Sequence, residues 1–148
     1  LRVSEVAALR PEHINMTTCR LDVREGKGAK DRTLWIRDTL RDDIGKWRER
    51  RPKESPWFFC TRTGKATSRR SIHRTIQNYA KKAAIREPTE VSPHTLRHTF
   101  ATQLYRETKN IRLVQKALGH SDLSTTMIYT HIVDEELQNA LRGIRVLA

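Results

Sequence analysis

The 148-residue chain has few cysteines, no long apolar run and a low share of hydrophobic residues. Its two cysteines, Cys19 and Cys60, form no C-x-x-C pair, which argues against a disulfide scaffold or a cysteine zinc site. We therefore expect a reducing, intracellular setting. No segment approaches the ~18 consecutive apolar residues of a membrane span, so a membrane-spanning protein is excluded.

Acidic residues are also scarce relative to basic ones. The 29 Lys and Arg residues against 17 Asp and Glu residues give a net charge of +12. Such a surplus favours an acidic partner, of which nucleic acid is the commonest. The length is that of one ordinary domain, large enough to bury a core without a disulfide or metal. No linker or repeat divides residues 1–148, so we expect one domain, and its opening within a helical pattern without Met indicates a fragment of a longer protein.

An alternation of polar and apolar residues predicts a basic β-hairpin in the first third of the chain. Residues 20–24 have the pattern of a half-buried strand, and residues 33–36 that of the returning strand. The Gly- and Lys-rich residues 25–31 between them form the expected turn. Residues 57–60 are a second apolar segment, expected to be a short strand or a buried turn.

Helical periodicity dominates the rest of the chain, starting with apolar residues at helical spacing in the first nine positions. Asp38 is expected to cap a helix that runs to about Arg50, and Ser68 to cap the next one. The residues expected to face inward from these two helices are Leu40, Ile44 and Trp47, then Ile72, Ile76, Tyr79 and Ala83.

The last third of the chain carries four further helical patterns. Ser92 before Pro93 marks the start of the first, and Gly119 marks the end of the second. Two more helices are expected after Gly119, the last of them opening at Asp134. The expected inward residues of the first two are Leu96, Phe100 and Leu104, then Ile111, Val114 and Leu118. The fold class predicted is α+β, predominantly α-helical, with a small antiparallel β-sheet near the N-terminus.

Two residues of the helix that starts at Pro93 can carry chemistry. His94 and Arg97 are three residues apart and therefore share a face. His94 lies in the first turn, where free N–H groups and the helix dipole attract phosphate. The pair thus fits a phosphate site, although a solvated helix face explains these two residues alone equally well.

Four segments resemble the motifs of tyrosine recombinases, the phage-integrase and Xer group. Residues 92–102 resemble the H-x-L-R-H segment of that family, and residues 118–131 its L-G-H…Y-x-H segment. Residues 1–5 are similar to its first-arginine motif, and residues 26–30 to its hairpin lysine motif. The four segments occur in the family's order and together cover almost the whole chain.

The resemblance implies a helical catalytic domain that recombines or integrates DNA through a covalent 3′-phosphotyrosine intermediate. The family's N-terminal core-binding domain is absent from this sequence. The catalytic residues implied by the matching motifs are Arg2, Lys27, His94, Arg97, His120 and Tyr129. Tyr129 is the implied nucleophile, which attacks the scissile phosphodiester and releases a 5′-hydroxyl.

The chemistry of such a reaction fits these residue types. Arg2 and Arg97 suit the charged phosphate oxygens, because the guanidinium fork keeps its charge at any working pH, and His120 can add a hydrogen bond. His94 is the implied base for the tyrosine hydroxyl, and Lys27 is the candidate general acid for the 5′-oxygen. The two arginines and the lysine replace the electrostatic role of a metal, so we expect no metal and no cofactor.

Double-stranded DNA is the expected partner, and a homotetramer is expected in the synaptic complex. No membrane association is expected. The expected location is cytoplasmic, and nucleoid-associated when the protein is on DNA.

Three other interpretations remain open. Residues 111–132 fit a non-catalytic helix-turn-helix DNA-binding module. His94, His98 and His120 could bind zinc, although no Glu or Cys completes the set. A type IB topoisomerase would share the chemistry but relax supercoils as a monomer.

Overall fold

The computed structural model describes residues 1–24 and 31–119. Within these ranges the chain forms five α-helices and one three-stranded antiparallel sheet, which confirms the predicted fold class. The strands are β1 (Ile14–Asn15), β2 (Arg20–Val23) and β3 (Arg32–Trp35). The helices are α1 (Val3–Ala7), α2 (Asp38–Arg50), α3 (Arg69–Lys82), α4 (Pro93–Thr108) and α5 (Ile111–Leu118).

The predicted hairpin is formed by β2 and β3, which pair from Arg20 opposite Trp35 to Val23 opposite Arg32. The sheet also contains β1, which is only two residues long and leaves no alternation to recognise in the sequence. One face of the sheet contributes to the first hydrophobic core. The buried residues of this core are Leu9, Ile14, Leu21, Val23, Ile36 and Phe58.

The positions of α2 and α3 agree with the sequence, but parts of their predicted inner faces are wrong. Arg37, not Asp38, occupies the N-cap position of α2, and Leu40 is exposed. In α3 the predicted Ser68 cap is confirmed, since its hydroxyl accepts a hydrogen bond from the Ser71 N–H at 3.1 Å. The buried residue of α3 is Ala80, so Tyr79 and Ala83 turn outward instead of inward.

The inner face of α4 also differs from the prediction. Leu96 and Phe100 are about half exposed, whereas Leu104 packs against the second core as predicted, beside the buried Ala101 and Tyr105. Ala101 is completely buried, because its small side chain lets α5 approach closely. The buried residues of this second core are Ala101, Tyr105, Val114 and Leu118.

Arg97 occupies the same face of α4, since residues 97, 101 and 105 are spaced by one helical turn. The apolar stripe predicted from Leu96 and Phe100 is therefore displaced by one residue. Arg97 therefore lies on the buried face of the helix. This register brings Arg97 to the end of α5.

Several predictions lie outside the described residues: the hairpin turn with Lys27, and the two helices expected after Gly119. None of the described helices is long and apolar enough to cross a membrane. Within residues 1–24 and 31–119, no three His, Cys, Asp or Glu side chains are grouped closely enough to hold a metal ion.

Candidate active site

The candidate site is built on the C-terminal end of α5. The helix begins at an Asn110 cap, whose side-chain oxygen accepts hydrogen bonds from the backbone N–H groups of Arg112 and Leu113. It ends at Gly119, which has the left-handed backbone conformation (φ 67°, ψ 41°) predicted for a glycine C-cap. The last carbonyl groups of a helix have no partner within the helix and carry its partial negative charge. This end therefore attracts cationic donors.

Three guanidinium groups from three different elements bind these carbonyl groups. Arg97 of α4 donates from Nη2 to the carbonyl oxygen of Leu118 at 2.6 Å. Arg2, the residue before α1, donates from Nη2 to the carbonyl oxygen of Gly119 at 3.1 Å. Arg32, at the start of β3, donates from Nε to the carbonyl oxygen of Ala117 at 3.2 Å. Three consecutive carbonyl groups thus bring the three arginines together.

Glu5 joins two of these arginines. Arg32 donates to both carboxylate oxygens of Glu5, from Nη1 at 3.0 Å and from Nη2 at 2.8 Å. Arg2 donates to the same carboxylate from Nη1 at 3.2 Å and from its backbone N–H at 2.6 Å. Burial acts to raise the pKa of Glu5, but the hydrogen bonds from Arg32 and from the backbone of Arg2 outweigh it, so the pKa lies below its ordinary value.

The arginines differ in their access to solvent. The side chains of Arg32 and Glu5 are 6% and 7% exposed, whereas that of Arg2 is 38% exposed. Arg97 is half-buried. Of the three, Arg2 is therefore the most accessible to an anion from solvent, Arg97 is intermediate, and Arg32 is enclosed.

A cleft of about 770 Å³ lies next to this cluster, between α3 and the beginnings of α1 and α4. Its lining residues are Val3, Ser92, Pro93 and His94 on one side, and Arg69, Arg70, Ser71, His73, Arg74 and Gln77 of α3 on the other. Val3 follows Arg2 directly in the chain, so the cleft borders the arginine cluster. Its wall on the α3 side is strongly basic.

Comparison with known proteins identifies the family. The phage integrase family matches residues 1–136. The chain belongs to this family. The expectation raised by its four motifs is thereby confirmed.

Relatives of this integrase-family chain include named tyrosine recombinases. XerA from Pyrococcus furiosus is 39% identical over 99% of the chain, which covers 51% of that relative. XerD from Ralstonia nicotianae is 39% identical over 93% of the chain, which covers 46% of it. The chain thus spans about half the length of these relatives.

Solved structures of the family have the same fold. The crystal structure of XerA recombinase superposes with a TM-score of 0.82 at 32% identity, covering 98% of this chain and 54% of that one. The XerH site-specific recombinase, solved with a palindromic difH substrate after cleavage, gives a TM-score of 0.77 at 28% identity. The latter match covers 96% of this chain and 41% of that one.

The structure brings some of the predicted site residues of this integrase-family chain together. Arg2 and Arg97 meet at the end of α5, and His94 lines the adjacent cleft in the first turn of α4. The Ser92 cap fixes that turn, since its hydroxyl accepts a hydrogen bond from the Thr95 N–H at 3.1 Å. The remaining members of the predicted set, Lys27, His120 and Tyr129, lie outside the described residues.

Sequence reasoning missed two parts of the site. In the sequence Arg32 is one of several basic residues near the hairpin turn, but in the structure its side chain is buried against Glu5 and the end of α5. The basic wall of α3 was not singled out either. Its signal was available in the sequence, because Arg69, Arg70 and Arg74 follow the predicted Ser68 cap within about one turn and a half.

Gly119 is required at the end of α5 for two reasons, and we expect Gly119→Ala to destabilise the fold by about 1–3 kcal/mol. Its φ of 67° disfavours any side chain, and an added Cβ would lie 2.8 Å from Nη1 of Arg32. Urea unfolding of Gly64→Ala provides a matched control. Gly64 also has a positive φ, of 77°, but its added Cβ would lie 3.7 Å from Ser55. Equal losses for the two variants would show that contact with Arg32 does not matter.

Proposed function

We propose that residues 1–148 form the catalytic domain of a site-specific DNA recombinase that cuts and rejoins strands through a 3′-phosphotyrosine link. The observation that carries this proposal is the meeting of Arg2 and Arg97 on adjacent carbonyl groups at the end of α5. The side chain of Arg2 is partly exposed and Arg97 is half-buried. Residues 95 positions apart in the sequence are thus arranged as a pair of anion-binding groups.

The pair suits the transition state of phosphodiester transfer. Negative charge grows on the non-bridging oxygens as the nucleophile attacks, and fixed guanidinium donors stabilise that charge without reorganising. Both arginines are oriented by helix-end carbonyl groups and so do not need to find their positions during the reaction. Their charge also persists at any working pH.

The remaining catalytic roles follow from the family motifs. We assign Tyr129 as the nucleophile, which forms a bond to the scissile phosphorus as the bond to the 5′-oxygen breaks. His94 accepts the tyrosine proton, and its place in the cleft wall supports access to DNA. Lys27 delivers a proton to the departing 5′-oxygen, and His120 donates a hydrogen bond to the phosphate. Rejoining is the reverse of these steps, so no nucleotide cofactor is required.

The basic cleft is the proposed path of the DNA backbone. Its α3 wall presents Arg69, Arg70 and Arg74, and its other wall leads to His94 and the arginine cluster. A phosphodiester strand that follows α3 would therefore arrive at Arg2 and Arg97. The net charge of +12 provides the corresponding long-range attraction.

Duplex affinity should fall steeply with salt, because each neutralised phosphate releases counterions. Replacing Arg69, Arg70 and Arg74 by glutamine should reduce the slope of log affinity against log salt by about 2–3, roughly 0.9 for each lost phosphate contact. Fluorescence anisotropy across a salt series measures this slope directly. We expect little sequence preference from residues 1–148 alone.

The matched control removes the same charge from another helix. Lys46, Arg48 and Arg50 of α2 are exposed and do not line the cleft. Replacing these three by glutamine should change the slope less than the α3 substitutions do. Equal changes would mean that charge alone, and not the cleft, governs binding, and a flat salt dependence of the unsubstituted chain would contradict DNA binding through phosphates.

A covalent trapping experiment tests the proposed function. The chain is incubated with pooled nicked duplexes of randomised sequence, in which the short 3′-side strand diffuses away after cleavage, and the mixture is run on a denaturing gel. We expect a protein–DNA adduct that survives denaturation. A helix-turn-helix binding module would bind the same duplexes without forming an adduct, and absence of an adduct would reject the catalytic proposal.

The same proposal covers the assembly and its place of work. Exchange between two duplexes requires a cut in each of four strands, so we propose a homotetramer with one active site per strand in the synaptic complex. A monomeric topoisomerase would instead relax supercoiled plasmid without exchanging strands, and joint molecules between two labelled duplexes distinguish the two. Because DNA is the substrate, we place the working enzyme in the cytoplasm on the nucleoid, in DNA integration or recombination.

A further inference from the structure

Arg32 connects three parts of the chain that carry family motifs. Its backbone opens β3, five residues after Lys27. Its guanidinium group donates two hydrogen bonds to the carboxylate of Glu5 in α1, three residues after Arg2. Its Nε donates to the end of α5, two residues before Gly119. One buried side chain therefore links the hairpin, the first arginine and the helix end.

The carboxylate of Glu5 is shared unequally between its two arginines. Arg32 binds both oxygens in a fork, at 2.8 and 3.0 Å, and is enclosed with them. The side chain of Arg2 reaches only one oxygen, at the longer distance of 3.2 Å. Arg2 at the same time spans to the carbonyl oxygen of Gly119 with its other terminal nitrogen. The tighter, two-pronged pair is the one with Arg32.

This division matters because a carboxylate beside a phosphate-binding arginine competes with the phosphate. Two-pronged arginine–carboxylate pairs are stronger and more directional than single contacts. If Glu5 lost Arg32, Arg2 would be the remaining guanidinium partner of its carboxylate among the described residues, and the expected outcome is a two-pronged pair between them. Arg2 would then turn from the end of α5 toward Glu5.

We propose that Arg32 is a positioning residue that occupies Glu5 and thereby keeps the Arg2 guanidinium oriented for the scissile phosphate. Arg32 itself is too enclosed to touch DNA and acts through Glu5 and Arg2. The proposal rests on the function proposed above, in which Arg2 binds the phosphate.

A purely structural ion pair would behave differently. Replacing a buried ion pair by apolar groups is often neutral for stability, whereas removing one partner leaves an uncompensated charge. Under a structural role, Arg32→Met and Arg32→Met/Glu5→Gln would differ mainly in the free energy of unfolding. Under the positioning role, the two variants differ in how well Arg2 serves the phosphate, at equal DNA affinity.

The main experiment measures the single-turnover rate of adduct formation on the nicked duplexes. We expect Arg32→Met to slow cleavage by about 10–100-fold, the size of effect that displaced catalytic groups produce, with unchanged DNA affinity. Arg32→Met lowers the logarithm of the cleavage rate, and Arg32→Met/Glu5→Gln should reverse at least about a third of that decrease. The reason is that glutamine has no charge with which to attract Arg2. A double variant as slow as Arg32→Met would overturn the proposal.

Two further variants control for the loss of a positive charge from the sheet and for a failure of Arg32→Met to fold. Arg20→Met removes an arginine from the same sheet, where it pairs with the partly exposed Asp22, and should cleave at the rate of the unsubstituted chain. Arg32→Lys preserves the buried charge and supports folding if Arg32→Met does not fold, but an ammonium group lacks the fork. We expect Arg32→Lys to be slower than the unsubstituted chain, and full activity of Arg32→Lys would contradict the need for a fork.

A substrate with sulfur in place of the bridging 5′-oxygen separates an effect on Arg2 from one on the hairpin lysine. The thiolate leaving group needs no proton, so a defect in Lys27 is relieved on this substrate. Arg32→Met should remain slow on this substrate, because its effect passes through Arg2, which acts on the non-bridging oxygens. Rescue by sulfur would assign Arg32 to the hairpin and overturn the proposal.

A binding measurement without catalysis distinguishes failure of the inference from failure of the proposed function. The Nε–Hε NMR signal of Arg2 is followed during titration with inorganic phosphate. The signal should shift in the unsubstituted chain, shift at least about threefold less in Arg32→Met, and recover in Arg32→Met/Glu5→Gln. This pattern without any adduct would reject the recombinase and keep the positioning role, and an equal response in all three proteins would reject the positioning role.

Discussion

Arg97→Ala should reduce the rate of strand cleavage by about 100–1,000-fold, the loss that follows removal of one donor from a developing anionic centre. Arg97 lies on the buried face of α4 with Ala101 and Tyr105, and its Nη2 is 2.6 Å from the carbonyl oxygen of Leu118. The core therefore fixes the direction of its guanidinium group. Arg97→Lys should recover little activity, because an ammonium group cannot bind the carbonyl and two phosphate oxygens in one plane. Single-turnover adduct formation measures both rates.

Arg106→Ala is the matched control for this prediction. Arg106 lies in the last turn of the same helix and is exposed, so its removal changes the net charge equally. We expect nearly normal cleavage from Arg106→Ala and a similar DNA affinity for both variants. The free energy of unfolding of Arg97→Ala should also be lower by about 1 kcal/mol, the contribution of one hydrogen bond. Equal cleavage rates for the two variants would exclude Arg97 from the phosphate site.

Tyr129→Phe should abolish the covalent adduct and leave duplex affinity almost unchanged. Only the attacking oxygen is lost, whereas the basic cleft and the arginine cluster keep their charges. Denaturing gels detect the adduct, and anisotropy under the same conditions measures binding. Because no other residue is assigned as a nucleophile, the expected loss extends to the detection limit of the gel.

Tyr79→Phe tests whether the loss is specific to position 129. Tyr79 is 67% exposed on α3 and is not among the lining residues of the cleft. This variant should form the adduct at the normal rate. A persistent adduct in Tyr129→Phe would mean that another residue attacks the phosphate, and peptide mapping of the DNA-linked fragment would then name it.

Local sequence signals were sufficient for the elements whose ends are set by neighbouring residues. The Ser68 and Ser92 caps and the Gly119 C-cap lie where predicted, because each depends on backbone groups within a few residues. The β2–β3 hairpin was predicted for the same reason. The motif that contains Arg97 also gave the right helix, since Pro93 and its preceding cap define the first turn.

The inner faces of the helices could not be predicted as well. Leu96 and Phe100 form the more apolar stripe of α4, yet the helix turns Ala101 and Tyr105 toward α5. Hydrophobicity favours the larger side chains, but close packing of two helices favours a small residue at the crossing. The choice depends on α5, which is a tertiary contact and is invisible in the periodicity of α4 alone.

The arginine cluster shows the same limit at the level of the site. The motifs predicted the pairing of Arg2 and Arg97, but Glu5 and Arg32 are 27 positions apart and belong to a helix and a strand. In the sequence alone, Arg32 is therefore indistinguishable from the other basic residues near the hairpin turn. Only the folded chain shows that the Arg32 guanidinium forms an ion pair with Glu5 and a hydrogen bond to the end of α5.

In the proposed reaction, Arg2 and Arg97 stabilise the negative charge of the scissile phosphate. The most direct test is the cleavage rate of Arg97→Ala on a nicked duplex whose scissile phosphate carries a methyl group in place of one non-bridging oxygen. The neutral methylphosphonate needs less cationic stabilisation, so the defect of Arg97→Ala relative to the unsubstituted chain should shrink by at least ~10-fold. An equally large defect on the neutral and the charged substrate would contradict the account.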